Sequence, residues 1–413
     1  MTQPNISKEA GLRLMHDFIK NEGRIQDGME PFPISLRLLF WIKFVVKHKI
    51  EESIIDQSIW YQLSCLSAMP EYHLLGNHLL ENGFGLLFGG YYFKDEKIIE
   101  QAKSILIPQL EEQILEDGAH FELSPMYHQL MLYRMLDCIN LMQNNSLTAT
   151  DADDLLEVFL NKVPKMLGWM NKMAFANGDM PHFNDSIDGI APKSAALLEY
   201  AKRLQIVPET IELKDSGYRK FCIQQYEVVL DVGQIGPSYI PGHAHSDTFS
   251  FILYHQQTPF IVDPGISTYE KNAQRNAERA TSSHNTVRIA NKEQSEVWGG
   301  FRVGRRAKII QLKESENCIK AVHNGYNKIG CHHQRTFLFS ASTMLIEDLI
   351  IGNKSGVAFL HFHPDVAVSL NNQQLYGDTW EIQFEESTTV NLEPYQFALG
   401  FNHTQKALKA VIS

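Results

Sequence analysis

The feature that most constrains this chain is a change of texture near its midpoint. From Pro33 to about Gln205 apolar residues recur at three- and four-residue spacing, as in Leu38, Trp41 and Val45, and in Leu130, Tyr133, Leu136 and Ile139. That is the period of helices that bury one face. After Asp215-Ser216-Gly217 the apolar residues fall in short β-rich runs, YEVVLDVG, FSFILYH, PFIVDPG, HNTVRIA, AKIIQL, TFLFSAS and MLIEDLIIG, each bounded by Gly, Asn, Pro or Asp. Strands that succeed one another without intervening helices form antiparallel sheets. The chain therefore reads as multidomain α and β, helical over 1–213 and an antiparallel β-sandwich over 214–413, with VPETIELKDSG at the join carrying neither pattern. Breaks at Met69-Pro70, Gly83 to Gly90, Asp117-Gly118, Asn144-Asn145 and Asn177 to Gly189 cut the first part into successive helical hairpins. Ser124-Pro125 reads as a helix start, with serine as cap and proline in the first turn.

Charge and cysteine usage narrow the partners. With 37 Lys+Arg against 48 Asp+Glu the net charge is −11, which argues against nucleic acid, or an anionic membrane, held by bulk electrostatics. A polyanionic substrate must meet a local positive site. The five cysteines lie far apart with no CxxC pair, so neither a cysteine-rich zinc site nor a disulfide framework is indicated. The apolar stretch from Leu36 to Val46 is interrupted by Arg37 and Lys43, so no membrane span is read there. The opening MTQPNISKEAGLRLMHDF lacks a basic segment followed by an apolar one. On that reading the location is cytoplasmic; a periplasmic one would need an export signal ahead of this sequence.

Three groups of residues could carry chemistry. The first is Gly242-His243-Ala244-His245-Ser246-Asp247, followed by Asp263 and His284. Imidazole and carboxylate suit zinc, and His243 and His245, two apart, would share one face of an extended strand. The alternative is that these are turn and strand-end residues. The second group lies in the helical half. In LLGNHLLENG, His78 and Glu81 are three apart and Asn77 and Glu81 four apart, so all can occupy one side of a helix end, unless that side is merely solvated. In GAHFELSPMYHQL, Glu122, Tyr127 and His128 crowd around the helix start. The third group strings Tyr269, Arg275, Arg279 and His284 through a polar stretch inside the β-rich half, as functional loops often do. Beyond it SEVWGGFRVGRRAKI carries Trp298 and would set Arg302, Arg306 and Lys308 on one strand face, either a solvated face or a track for a carboxylated or sulfated glycan.

The runs GHAHSDTFSF, FIVDPGISTYE and RATSSHNTVRIANKEQSEVWGGFRVGRRAKI resemble the C-terminal domain of the heparinase II/III family of polysaccharide lyases, which also includes alginate and oligoalginate lyases. DGMEPFPISLRLLFWIKF, GNHLLENG and DGAHFELSPMYHQL resemble the same family's N-terminal domain. The subgroup most resembled is that found beside surface-polysaccharide genes. The resemblance implies an incomplete (α/α) toroid followed by an antiparallel β-sandwich, with substrate in a cleft. It implies that Asn77 and His78 meet a uronate carboxylate, that Glu81 adds a polar group, and that Tyr127 is catalytic base or acid. By the same carry-over His243 is the active-site histidine, Tyr269 a second tyrosine, and His245, Asp263 and His284 ligands of a zinc that shapes the β side of the site. Glu122, Arg279, Trp298 and Arg302 join Glu81 as expected substrate contacts. Few residues precede DGMEPFPISLR, so one wall of the site is expected to be short.

The family reaction is β-elimination on an anionic uronate polysaccharide. A proton leaves C5, the 4-linked sugar departs, and a 4,5-unsaturated end remains. Developing charge beside the carboxylate demands hydrogen-bond donors, and a tyrosine acts as base only if cations such as His243 or Arg279 favour its phenolate. Two other readings stay open at this level: a glycoside hydrolase using Glu81 and Glu122 as paired carboxyls, and a non-catalytic glycan-binding protein with a structural zinc.

Overall fold

The computed structural model describes residues 6–25, 27–145 and 153–413; residues 1–5, which open the stretch read for a leader, lie outside them. Helices come first: α1 (Lys8–Asn21), α2 (Pro31–His48), α3 (Ser53–Ala68), α4 (Gly76–Phe93), α5 (Glu96–Gln113), α6 (Pro125–Asn144), α7 (Asp153–Met173) and α8 (Ser194–Arg203). Strands begin at Tyr218, within the expected change of texture, and every strand pair among the described residues is antiparallel. Packing divides the chain into two compact units that alternate along it. The first takes in Met1–Ile114, Met131–Pro164 and Tyr200–Ile206; the second takes in Leu115–Leu130, Lys165–Glu199 and Val207–Ser413.

In the first unit α2 buries Leu38, Leu39, Trp41, Ile42 and Val45, the three-and-four spacing read from the sequence. The glycine-rich run expected to end a helix instead lies inside α4. A β-carbon on Gly85 would come within 2.9 Å of the Ser35 backbone, and one on Gly89 within 2.4 Å of Leu63. These glycines let neighbouring helices approach α4 closely, and that packing outweighs the roughly 1 kcal/mol by which each disfavours a helix.

The second unit holds the sheets. β1 (Tyr218–Ile223), β2 (Tyr226–Asp231), β3 (Phe251–His255) and β4 (Thr258–Ile261) make one, in that order. After α9 (Ala273–Glu278) come β5 (Val287–Ile289) and the hairpin of β6 (Glu296–Trp298) with β7 (Arg302–Gly304). β8 (Ile309–Ser315), β9 (Cys318–His323), β10 (His332–Phe339) and β11 (Met344–Ile351) form a second four-stranded sheet. β12 (Gly356–His361) pairs with β5 and with the last strand; β13 (Ser369–Asn371), β14 (Gln374–Tyr376) and β15 (Glu381–Ile382) are a small separate sheet. β16 (Val390–Gly400) and β17 (His403–Ile412) close the chain as a long hairpin. Inward-facing Val228, Leu230, Phe251, Ile319, Phe337 and Ala410 meet in one core shared by these sheets, as a sandwich requires.

This unit also recruits chain from the helical half. The Asp117 carboxylate accepts from Lys214 N (3.0 Å), Ser216 N (2.9 Å) and Ser216 Oγ (2.6 Å). The buried Tyr218 hydroxyl donates to Leu123 O at 2.5 Å. Among the described residues no helix is long and apolar enough to cross a membrane.

Candidate active site

The site is assembled from three segments of the second unit fastened to one another by backbone. Ser124 caps α6, its Oγ accepting from Tyr127 N at 3.2 Å and donating to Asp185 O at 2.6 Å. Asp185 N donates to His243 O (3.0 Å), and His245 N donates to Asn184 Oδ1 (3.0 Å). The GHAH segment is thus a loop tied to residues 184–185 and not the extended strand expected from its spacing. Tight turns at Gly242 and Ala244 send His243 and His245 to different surroundings.

His243 is only partly buried, and its imidazole lies on the Tyr127 ring, centroids 3.9 Å apart and planes 20° from parallel. Its Nδ1 is 2.6 Å from Glu122 Oε2. A carboxylate there accepts a hydrogen bond from Nδ1–H, so that in the neutral ring Nε2 is the nitrogen with the lone pair. Burial alone would lower the His243 pKa, but the Glu122 carboxylate outweighs it and the net shift is upward. The Tyr127 hydroxyl meets that of Tyr269 at 3.1 Å. Burial pushes both phenols above their ordinary value; for Tyr127 the hydrogen bond to Tyr269 and the Arg275 cation pull the other way without cancelling it. Both phenols therefore rest protonated at neutral pH.

Beneath this surface lies a buried ion network that sequence reading missed. Arg275 makes a two-pronged bridge to Asp185, 2.5 and 2.6 Å, and stands 5.1 Å from the Tyr269 ring centroid and 5.2 Å from that of Phe301. Asp185 Oδ1 also meets His245 Nε2 at 2.8 Å. Burial would raise the Asp185 carboxyl, yet Arg275 and His245 hold it far below its usual range. Arg275 and Arg279 lie one turn apart around α9, which was the available signal; Asp185 stood in a stretch read only as a break. Arg279, expected at the glycan and near the phenolate, is fully buried and serves the backbone: its donors go to Ala244 O (2.8 and 3.2 Å) and Gly300 O (2.7 Å). Every donor so engaged is lost to a ligand.

His245, Asp263 and His284 are all buried. His245 and His284 have ring centroids 5.2 Å apart. Each turns one nitrogen to a carboxylate, His245 to Asp185 and His284 Nδ1 to Asp263 Oδ2 at 2.7 Å. Each keeps its other nitrogen, His245 Nδ1 and His284 Nε2, buried without a hydrogen-bond partner. This suits a metal at those two nitrogens. Asp263, facing His284, stands as the imidazole's support, and the described residues contain no group of three or more His, Cys, Asp or Glu spaced to hold an ion.

Asn77, His78 and Glu81 belong to the first unit. Asn77 is buried, and His78 packs on Phe32 (4.4 Å between centroids) with Nδ1 3.2 Å from Glu71. The Glu81 carboxylate receives Arg134 Nε at 3.0 and 3.1 Å and is 2% exposed, so this helix end is not the solvated face that its polarity allowed. Trp298 and Arg302 are exposed and directly opposite each other in the β6–β7 hairpin. The basic stripe ends with Arg302, because β7 stops at Gly304 and Arg306 turns to the carbonyls of Pro237 and Ser238.

A helical part followed by antiparallel sheets is an architecture shared with lyases of solved structure. The chain covers 98% of itself, and 69% of the other, on a heparan sulfate lyase from Pedobacter heparinus (TM-score 0.66, 19% identity). On a structure of heparinase III it covers 98% and 70% (TM-score 0.72, 16% identity). In sequence it is 22% identical over 362 residues to a heparin-sulfate lyase of Bacteroides stercoris, 81% of this chain and 52% of that one. Residues 40–214 match the model of the heparinase II/III N-terminus and residues 206–413 that of the heparinase II/III-like C-terminal domain. The chain belongs to the heparinase II/III-like family. It spans about half the length of the heparin-sulfate lyases it matches.

Proposed function

We propose that this chain is a polysaccharide lyase that cleaves a uronic-acid-containing glycan by β-elimination and leaves a 4,5-unsaturated uronate end. The observation that carries the reading is the Tyr127 ring stacked on His243 at 3.9 Å with its hydroxyl on Tyr269 at 3.1 Å. His243 Nε2 takes the C5 proton, the C4–O bond breaks as the C4=C5 double bond forms, and Tyr127 gives its hydroxyl proton to the departing oxygen. Proton return from His243 to Tyr127, directly or through Tyr269, resets the site. Glu122 holds the imidazole in the tautomer this requires. Asn77 and His78 enter on the strength of the GNHLLENG motif, as the groups that neutralise the uronate carboxylate. The relatives' names extend the substrate class to sulfated uronate chains of the heparan type.

The hydrolase reading fares worse on the same side chains. Glu81 is held by Arg134 and Glu122 by His243, so neither stands free as one of a carboxyl pair. Incubation with heparan sulfate, heparosan and alginate separates the readings. Ultraviolet absorbance of the unsaturated uronate should grow in step with new reducing ends. Reducing ends without absorbance would mean hydrolysis, and neither signal from any uronate glycan would overturn the assignment.

We also propose a zinc ion held through His245 and His284, with Asp263, expected as a third ligand, serving instead as the carboxylate that supports the His284 ring. The two partnerless buried nitrogens support it, as do the carboxylates behind each ring, which orient metal-bound imidazoles in known sites. When bound, zinc would supply a fixed positive charge. Protein purified without chelator should carry about one zinc per chain, and His284→Ala should lose both the metal and several degrees of melting temperature. Metal-free protein with an unshifted melting temperature on adding zinc would dismiss the ion.

A further inference from the structure

The β6–β7 hairpin carries an exposed aromatic and an exposed cation on a turn that is built into the active site. Trp298 is 51% exposed. Its ring lies against the backbone of Gly304, where a β-carbon would come within 3.0 Å of two ring carbons, so one face is backed and the ring is fixed without being covered. Arg302 pairs directly across from it. Gly299 and Gly300 between them have φ of +58° and +79°, values that glycine adopts without strain. The exposed Lys271 runs along this turn, its Cγ 3.1 Å from where a Gly300 β-carbon would stand.

The turn is pinned from inside by the buried arginines. Gly300 O accepts from Arg275 Nε at 3.0 Å and from Arg279 at 2.7 Å. Phe301 packs 5.5 Å from the Tyr269 ring and 6.4 Å from His243. The arginine that bridges Asp185 and underlies Tyr269 thus also fixes the hairpin. Exposure alone does not set Trp298 apart, since Trp60, Tyr61 and Tyr72 are exposed to a similar degree; what does is a ring fixed with one face open, beside a cation, on a turn that packs against Tyr269 and His243. A pyranose offers that face a layer of C–H groups, and a guanidinium beside it matches the planar fork of a sulfate or carboxylate.

We infer that Trp298 and Arg302 form a sugar subsite next to the His243–Tyr269 surface, in which Trp298 stacks on a pyranose ring and Arg302, with Lys271, binds that ring's anionic substituent. The sugar held here is a neighbour of the one that reacts, so the hairpin selects the charge pattern of the glycan and not the chemistry. The inference rests on the lyase reading for the identity of the reacting sugar, and its test is independent of turnover.

Heparan sulfate and heparosan hexasaccharides, alike in uronates but differing in sulfate, are titrated calorimetrically into Tyr127→Phe protein with and without Trp298→Ala, Arg302→Ala or Arg302→Lys. Either alanine should raise Kd about tenfold, the usual worth of an aromatic or arginine anchor, with Arg302→Lys intermediate and melting temperatures unchanged. Loss confined to heparan sulfate identifies the bound group as sulfate; equal loss on both identifies a carboxylate. Kd values within about twofold of the parent for both alanine variants, or no binding of either probe, overturn the subsite. In the otherwise wild-type protein the same alanines should raise KM and spare kcat. If binding depends on Trp298 and Arg302 while no unsaturated product ever forms, the lyase reading falls and the subsite stands; if product forms and the alanines change nothing, the reverse holds.

Discussion

Replacing Tyr127 by Phe should lower turnover of a uronate glycan by about 10²–10⁴-fold, the ordinary worth of one proton-transfer group. The substitution removes a hydroxyl and little volume. The ring stack on His243 at 3.9 Å needs only the ring, so folding and glycan binding should persist. What disappears is the proton that burial keeps on the phenol at neutral pH and the link to Tyr269. The measurement is kcat from ultraviolet absorbance of the unsaturated end, with melting temperature as control. A Tyr127→Phe protein that eliminates at near wild-type rate would move the donor to Tyr269.

The largest effect on stability should come from Asp185→Asn. The change keeps size and removes the charge that faces Arg275 through two contacts of 2.5 and 2.6 Å. Both side chains are fully buried, so the guanidinium would be left without its counter-charge in a site water cannot reach. Breaking a buried pair on one side costs about 3–5 kcal/mol. Chemical denaturation at neutral pH should show that loss as a lower midpoint. Because Arg275 also holds Gly300 and underlies Tyr269, activity should fall with it. A loss of unfolding free energy under about 1 kcal/mol would show that the network relaxes around the missing charge.

How much of this was legible in the sequence differs from residue to residue. The helical period, the antiparallel β runs and the Ser124-Pro125 helix start depend on local spacing and capping chemistry, and all three appear where expected. The long β16–β17 hairpin escaped notice because Pro394 and mixed polar residues hide its alternation; its pairing is made across the hairpin and not by local propensity. The glycines of α4 read as a break since only tertiary packing reveals that they admit Ser35 and Leu63. Within the candidate site, Tyr127, His243 and Tyr269 carry recognisable types in motif-like strings, and the structure brings the three together. Asp185, its pairing with Arg275 and the true task of Arg279 could not be read from the sequence, because their chemistry is that of burial and partnership, over 90 residues of chain for Asp185 and Arg275, and composition is blind to both.

The clasp of Asp117 on Lys214 and Ser216, and of Tyr218 on Leu123, bears on how a gene for such a protein can change. A recombination event near codon 214 would transfer every strand of the β-rich half and leave behind Glu122, Tyr127 and Asp185. It would also strip Ser216 and Tyr218 of their partners, so the transferred piece would arrive frayed at its first strand. The residues that meet around His243 therefore keep their present partners only where the stretch from Leu115 onward is inherited together, and the Gly299-Gly300 turn lies within that stretch.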